Sequence, residues 1–227
     1  MEIPDMDDFR KVFLKYTKMA FESLPNIDTP KILDVGCGSG VPTIELAYLS
    51  EGEIIGLDVD QKELEKFKEK IKKLGLKHRI KAVNTSFFHN NYSDESIDII
   101  WAEGVFYISG YEKSFRESYR ILKENGFLVM VDTLDRIESK FSGIKGMLDI
   151  LAKLGFKLYN QVKWIENAWW IEFYQPLELM LKKLRDSKID PMLYKHLTKH
   201  ENEISMIKKS PKKYDCAHYI LQKIKKK

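Results

Sequence analysis

The sequence predicts an α/β fold built on a mostly parallel sheet of seven strands, with helices on both faces and a helical insertion before the last strand. Three observations carry that prediction. The apolar segments "SIDIIW" (96–101) and "FLVMV" (127–131) are continuous rather than alternating, as in strands covered on both faces. Amphipathic helical patterns separate the strands, as in a parallel sheet. The first strand, Ile32–Asp34, runs straight into a glycine-rich turn, Gly36-Cys-Gly-Ser-Gly40, with a helix beyond it.

Taken in order, residues 8–24 place Phe9, Val12, Phe13, Tyr16, Ala20 and Leu24 at helical spacing. Pro25 to Pro30 is a linker. Pro42 suits the first position of the helix after the turn, which runs to about Leu49. "EIIGLD" (Glu53–Asp58) is the second strand. Asp60 and Glu63 form a capping-box pattern for a helix carrying Leu64, Phe67, Ile71 and Leu74, stopped by Gly75. Ile80–Asn84 and Ser96–Trp101 are strands three and four. A helix over Tyr111–Glu124 ends at Asn125-Gly126, and Phe127–Val131 is strand five. The spacing then predicts a helix from Ile144 to Leu154 closed by Gly155, a half-covered strand over Phe156–Ile165, and helices over Pro176–Ser187 and Pro191–Lys208. The last strand is Tyr214–Ile224. The whole reads as one Rossmann-like domain over 1–227: an N-terminal helix (1–30), a cofactor-binding core (31–165), a helical insertion or lid (166–210) and the last strand (211–227).

Composition narrows the function classes. The chain has 227 residues, 44% apolar, enough for a core without disulfide or metal staples. Two cysteines, Cys37 and Cys216, are too few for a secreted disulfide framework, and the acidic start opposes a secretory leader; both point to the cytoplasm. No apolar run reaches the ~20 residues of a membrane span. Net charge is +4, and the lysine clusters at 208–213 and 223–227 lack interleaved aromatics, which argues against nucleic acid.

The glycine turn selects the ligand. Its spacing is G-x-G-x-G rather than the G-x-G-x-x-G of a dinucleotide site. Val41-Pro42 stands where a P-loop needs Lys and Ser or Thr, and Pro42 removes an N–H that an anion would want. Asp34, just ahead of the turn, repels phosphate but attracts an ammonium or sulfonium group. Asp58 ends the second strand, where a carboxylate accepts ribose hydroxyls. A ribose, a cationic end and no phosphate describe S-adenosylmethionine.

At these residues the chain resembles the class I S-adenosylmethionine-dependent methyltransferases. Asp34-Val-Gly-Cys-Gly-Ser-Gly40 is similar to their glycine-rich signature, and Gly56-Leu-Asp-Val-Asp60 to their second motif. Asn84–Asp98 resembles the third cofactor motif. Ser118–Asp132 resembles the late helix, turn and fifth strand of the type 11 methyltransferase domain group. The resemblance implies that Gly36, Cys37, Gly38 and Gly40 pass beneath the methionine part, with Asp34 near its amino group. It also implies that Asp58 holds the ribose and Val59 faces the adenine. Ser86 and Phe87 stand where the family has an acidic and a small apolar residue flanking the adenine, which implies a weaker contact from Ser86 to the adenine amino group and packing of Phe87 on the ring. Glu103 falls near where the methyl group is presented.

The other candidates come from residue chemistry. Glu103 and Tyr107 are the candidate catalytic groups, to be used only where the acceptor must lose a proton. Tyr107, Tyr111, Trp169, Trp170 and Tyr174 are candidates for a substrate pocket, the aromatics being equally suited to packing the insertion. Cys37 reads as packing rather than as a nucleophile. His196 and His200 share a helix face without a third ligand in the sequence, so no metal is expected. The first reading is therefore methyl transfer to a small-molecule acceptor. A protein or RNA methylase and a catalytically inactive cofactor-binding scaffold are its rivals. The sequence leaves assembly open, a homodimer included.

Overall fold

The computed structural model describes residues 6–185 and 191–225, and the side chains of 184–199 lie outside that description. The side chain of His196 and the two terminal lysines therefore fall outside it, as do the first five residues of the acidic start.

Seven strands form one sheet in the order β3-β2-β1-β4-β5-β7-β6. They are β1 (Lys31–Val35), β2 (Glu53–Asp58), β3 (Ile80–Asn84), β4 (Ile97–Glu103), β5 (Leu122–Thr133), β6 (Phe156–Lys163) and β7 (Cys216–Lys223). β1 to β5 are parallel, while β7 inserts antiparallel between β5 and β6. Strand order reverses between β1 and β4, and ligands of open sheets bind at the carboxyl ends of strands at that reversal.

Alternate strand residues feed two cores. Leu33, Ile55, Ile100, Leu128 and Leu221 face α6 (Tyr111–Ile121) and α8 (Gly143–Leu154). Ile32, Ile54, Trp101, Val129 and Ile220 face α3 (Val41–Leu49) and α4 (Gln61–Lys73). A third cluster lies over the strand ends. There Phe13 and Tyr16 of the N-terminal helices pack on Trp164, just past β6, and on Phe173, Leu177, Ile204 and Ile207 of the insertion.

Several boundaries differ from the sequence reading. The helix expected over Tyr111–Glu124 stops at Ile121, because Leu122 is extended and pairs with Ile97. The single N-terminal helix is instead α1 (Met6–Arg10), a 3₁₀ turn (Lys11–Phe13) and α2 (Leu14–Glu22), which leaves Val12 37% exposed. Two helices were not foreseen: α5 (Phe106–Ser109) and α7 (Leu134–Phe141). Trp169–Tyr174 is one turn of π-helix leading into α9 (Gln175–Arg185), and α10 (Pro191–Lys209) follows. Half of the capping box forms. The Asp60 side chain accepts from the N–H groups of Lys62 and Glu63, but the Asp60 N–H goes to Asp58 Oδ1 at 2.8 Å.

Candidate functional site

A cavity of about 700 Å³ opens at the carboxyl ends of β1, β2 and β4, roofed by the third cluster. The glycine turn forms its floor. Gly36 and Cys37 donate their N–H groups to the Leu57 carbonyl at 2.8 and 3.0 Å, which ties the turn to β2. Gly38 has φ +52°, and a Cβ there would meet nothing within 4 Å, so the backbone faces open cavity. Gly40 is different. Its φ is +80° and a Cβ would stand 2.0 Å from the Phe67 ring, so it is a packing glycine at the start of α3.

Two carboxylates flank the turn. Asp34 is 2% exposed and accepts one hydrogen bond, from Thr43 Oγ1 at 2.5 Å. Burial pushes its carboxyl up to about 7, and the charges of Glu103 and Asp58 add to that, against the Thr43 bond. A buried carboxylate with one donor and like charges nearby is a site that welcomes a cation. Asp58 is spoken for by backbone: Oδ2 accepts from Gly38 N–H at 2.7 Å and Oδ1 from Asp60 N–H. Each carboxylate oxygen has a second lone pair, so both remain able to accept a ribose hydroxyl.

The opposite wall is built from distant segments. Glu103, at the end of β4, takes three bonds on one oxygen, Oε1: from Trp101 Nε1 at 2.7 Å, Thr17 Oγ1 at 2.9 Å and His218 Nε2 at 3.4 Å. Burial alone would raise its carboxyl, but the His218 bond, the positive charge of that ring when protonated, and the Trp101 and Thr17 bonds outweigh that and hold it below the usual carboxylate range. The His218 ring takes the Trp164 indole N–H on Nδ1 at 3.0 Å. An indole only donates, so Nδ1 is the acceptor and the ring proton lies on Nε2, toward Glu103. Trp164 is itself clamped, stacked on Tyr16 at 4.5 Å with Phe13 at 4.9 Å. At the rim, buried Asp132 accepts from Tyr111 and from Arg136, whose guanidinium lies 3.7 Å over the Tyr107 ring.

The wall is fastened to the turn. Asp7 of α1 accepts from Ser39 Oγ at 2.7 Å and from Lys70, and Lys70 also donates to the Ser39 carbonyl. Glu172 of the π-helical turn accepts from Lys15 and Tyr16 of α2.

Of the residues singled out in the sequence, Asp34, Gly36, Cys37, Gly38, Asp58, Glu103, Tyr107, Trp169 and Tyr174 line this one cavity. Gly40, Val59, Ser86, Phe87, Tyr111 and Trp170 do not. Phe87 packs in the core against Phe106, and the Ser86 hydroxyl accepts from the Phe88 N–H. Val59 stands 72% exposed beside the Asp58 end of the cavity. Tyr111 lies buried beneath the rim, its hydroxyl pushed well up by burial and by its bond to Asp132. Trp170 packs half-buried against the third cluster, under the Lys208 ammonium. Cys37 is buried against Gly56, and burial raises its thiol far above the nucleophilic range. The sequence reading missed Thr17, Thr43, Trp164 and His218. For His218 one signal existed: a lone imidazole in the otherwise apolar segment "CAHYIL".

Among the described residues, no group of three His, Cys, Asp or Glu side chains is arranged to hold a metal ion, and no helix is long and apolar enough to cross a membrane.

Residues 28–180 match the sequence model of a family described as "Methyltransferase domain". Methyltransferase GfsG of Streptomyces halstedii is 31% identical over 123 residues, 54% of this chain and 44% of that protein. Sterol 24-C-methyltransferase of Eremothecium gossypii is 27% identical over 168 residues, 64% of this chain and 45% of that protein. The chain thus spans less than half the length of these two relatives. Among solved structures, the [4+2]-cyclase SpnF superposes with a TM-score of 0.74 at 20% identity, covering 92% of this chain and 80% of that one. The cyclopropane synthase MmaA2 of Mycobacterium tuberculosis gives 0.70 at 14%, covering 92% and 84%. These two likenesses speak for the fold.

Proposed function

The chain belongs to the methyltransferase domain family, class I and S-adenosylmethionine-dependent, and from that premise we propose that it moves the methyl group of S-adenosylmethionine to a small-molecule acceptor by in-line displacement. One observation carries the reading: Asp34, Asp58 and the bare backbone of Gly38 converge on one cavity. The ammonium group would lie at Asp34, the methionine part over Gly36 and Gly38, and the ribose hydroxyls on Asp58. Val59, exposed beside that end, is the residue offered to the adenine. When bound, the cofactor supplies the electrophilic methyl group. The protein binds and orients the two reactants and excludes water around them.

The acceptor half of the cavity supports a small substrate. Phe13, Trp164, Trp169 and Tyr174 wall it, and the cavity as a whole has the volume of a small-molecule site. Glu103 and Tyr107 are the groups proposed to meet the acceptor. A macromolecular acceptor is less well served, since Lys208 of the basic cluster is already engaged by Glu178 and the Trp170 ring. The reading includes a reducing cytoplasm, supported by the two cysteines being free and buried.

Calorimetric titration tests the proposal. S-adenosylmethionine is expected to bind at micromolar concentration, Asp34→Asn and Asp58→Ala to weaken it at least tenfold, and NADH not to bind. Absence of S-adenosylmethionine binding would sink the reading. The cavity also fits an inactive cofactor-binding scaffold, which binds equally but transfers nothing to any of a broad acceptor set.

A further inference from the structure

Methyl transfer from a sulfonium carries a positive charge from sulfur to the acceptor atom. Whatever group stands opposite the acceptor in that moment has a differential effect on the transition state. Glu103 offers a carboxylate on the cavity wall for that place. All three of its described donors converge on Oε1, no described donor reaches Oε2, and the side chain is 20% exposed, at the cavity wall.

We infer that Trp164 and His218 position Glu103 as the counter-charge for an amine acceptor, whose nitrogen becomes cationic beside the open Oε2 as the methyl group arrives. The inference rests on the S-adenosylmethionine reading of the same cavity and names its substrate class. The chain of positioning runs inward from the wall. Tyr16 and Phe13 fix the Trp164 ring, and its N–H fixes the His218 tautomer with the proton on Nε2. That proton then holds Oε1 from the β7 side, while Thr17 holds it from α2 and Trp101 from β4. The Glu103 charge also bears on Asp34 of β1, whose carboxyl it helps to raise. With Asp34 and Asp58 assigned to the cofactor, the remaining carboxylates at the acceptor side are Glu103, Asp132 and Glu203. Arg136 neutralises Asp132.

The chemistry favours nitrogen over oxygen. A carboxylate that already accepts three hydrogen bonds on one oxygen is a weak base and a good counter-ion. A hydroxyl acceptor needs its proton removed, whereas a neutral amine does not. The amine lone pair forms the N–CH₃ bond as the S–CH₃ bond breaks, with that electron pair left on sulfur. The products are S-adenosylhomocysteine and an N-methylammonium ion, so charge is conserved and no proton moves.

The test uses the full chain saturated with S-adenosylhomocysteine, whose binding is measured first in every protein. Phenethyltrimethylammonium and its uncharged carbon isostere, (3,3-dimethylbutyl)benzene, are then titrated. The cation is expected to bind at least tenfold more tightly. That preference should fall below threefold in Glu103→Gln, stay partly in Glu103→Asp, and drop in Trp164→Phe, which keeps a ring against Tyr16 but loses the donor. In ¹⁵N spectra the His218 ring should show its proton on Nε2, and should lose that single tautomer in Trp164→Phe. Equal binding of the two probes, binding of neither, a preference that survives Glu103→Gln, or a proton on Nδ1 would each overturn the inference. Failure of S-adenosylhomocysteine to bind the unaltered protein would instead overturn the cofactor reading.

Discussion

Asp34→Asn separates the charge of the site from its shape. The variant keeps an oxygen for the Thr43 hydroxyl but cannot ionise. In the folded protein Asp34 titrates at about 7, against an ordinary value of 3.8, chiefly because burial disfavours the carboxylate. A rise of that size corresponds to about 4 kcal/mol between the fully protonated and fully ionised limits. The folded value lies above the unfolded one, so the folded state binds more protons. The contribution is fully present below pH about 4 and is lost as pH rises through about 7. Between pH 5 and pH 8 the natural protein should lose about 2–3 kcal/mol from this group, and the Asn variant none. Urea unfolding followed by tryptophan fluorescence, without cofactor and at intervals across that range, reads the difference directly. The stability of the variant relative to the natural protein should grow by about 2–3 kcal/mol from pH 5 to pH 8. A difference that stays constant with pH would refute the argument that burial strains this carboxylate. The same substitution should weaken S-adenosylmethionine at least tenfold, because the strained charge is what the cation relieves. Gain in stability and loss of ligand then come from one charge.

Gly38→Ala should raise the S-adenosylmethionine dissociation constant at least tenfold in calorimetry at a folding cost of only about 1 kcal/mol, since its Cβ enters open cavity and only φ is strained. Gly40→Ala should reverse that balance, lowering the melting temperature through a Cβ driven into Phe67. Cys37 should resist thiol reagents in the native protein and react once unfolded in urea, because its thiol is buried and raised. Asp7→Ala should cost about 1–3 kcal/mol in urea unfolding by stranding the Ser39 hydroxyl and Lys70. Burial raises the Asp7 carboxyl, but bonds from Lys70 and Ser39 lower it further, so its contribution in the natural protein is lost as pH falls below about 4.

What could be read from the sequence was chemistry local in the chain. β2 and β3 fall at the bounds expected of them because apolar runs, a capping aspartate and Gly75 punctuate that stretch. That Asp34 and Asp58 meet at one cavity was legible because each lies in the last two residues of its strand, and the carboxyl ends of neighbouring parallel strands meet whatever else the chain does. The overrun of the helix past Ile121 has the opposite cause. Leu122 is a good helix former, but its place beside Ile97 in the sheet wins, a tertiary contact with no local signature. The acceptor wall was hidden for the same reason. His218 meets Trp164 54 positions away and Glu103 115 positions away, and no spacing rule spans such separations. Tyr111 and Trp170 were named for their residue type, and type does not say which side of a helix faces the cavity.

The two halves of the cavity also differ in what the family relationship carries. Asp34, Gly36, Gly38 and Asp58 all lie within residues 28–180, the part that matches the methyltransferase domain. On the acceptor side, Phe13, Thr17, Glu203, Ile207 and Cys216 line the cavity from outside that range, and His218 holds Glu103 from outside it as well. A relative that shares the cofactor half can therefore present a different wall, and its acceptor does not transfer to this chain. The wall is nevertheless not independent of the turn. Asp7 grips Ser39 within the turn itself, and α1 leads directly into the helices that carry Phe13, Tyr16 and Thr17. Glu172 then ties those helices to the π-helical turn bearing Trp169 and Tyr174. Hydrogen bonds through Asp7 run from the glycine turn to the helices of that wall. Asp7 thus joins the turn, inside residues 28–180, to helices that lie outside that range.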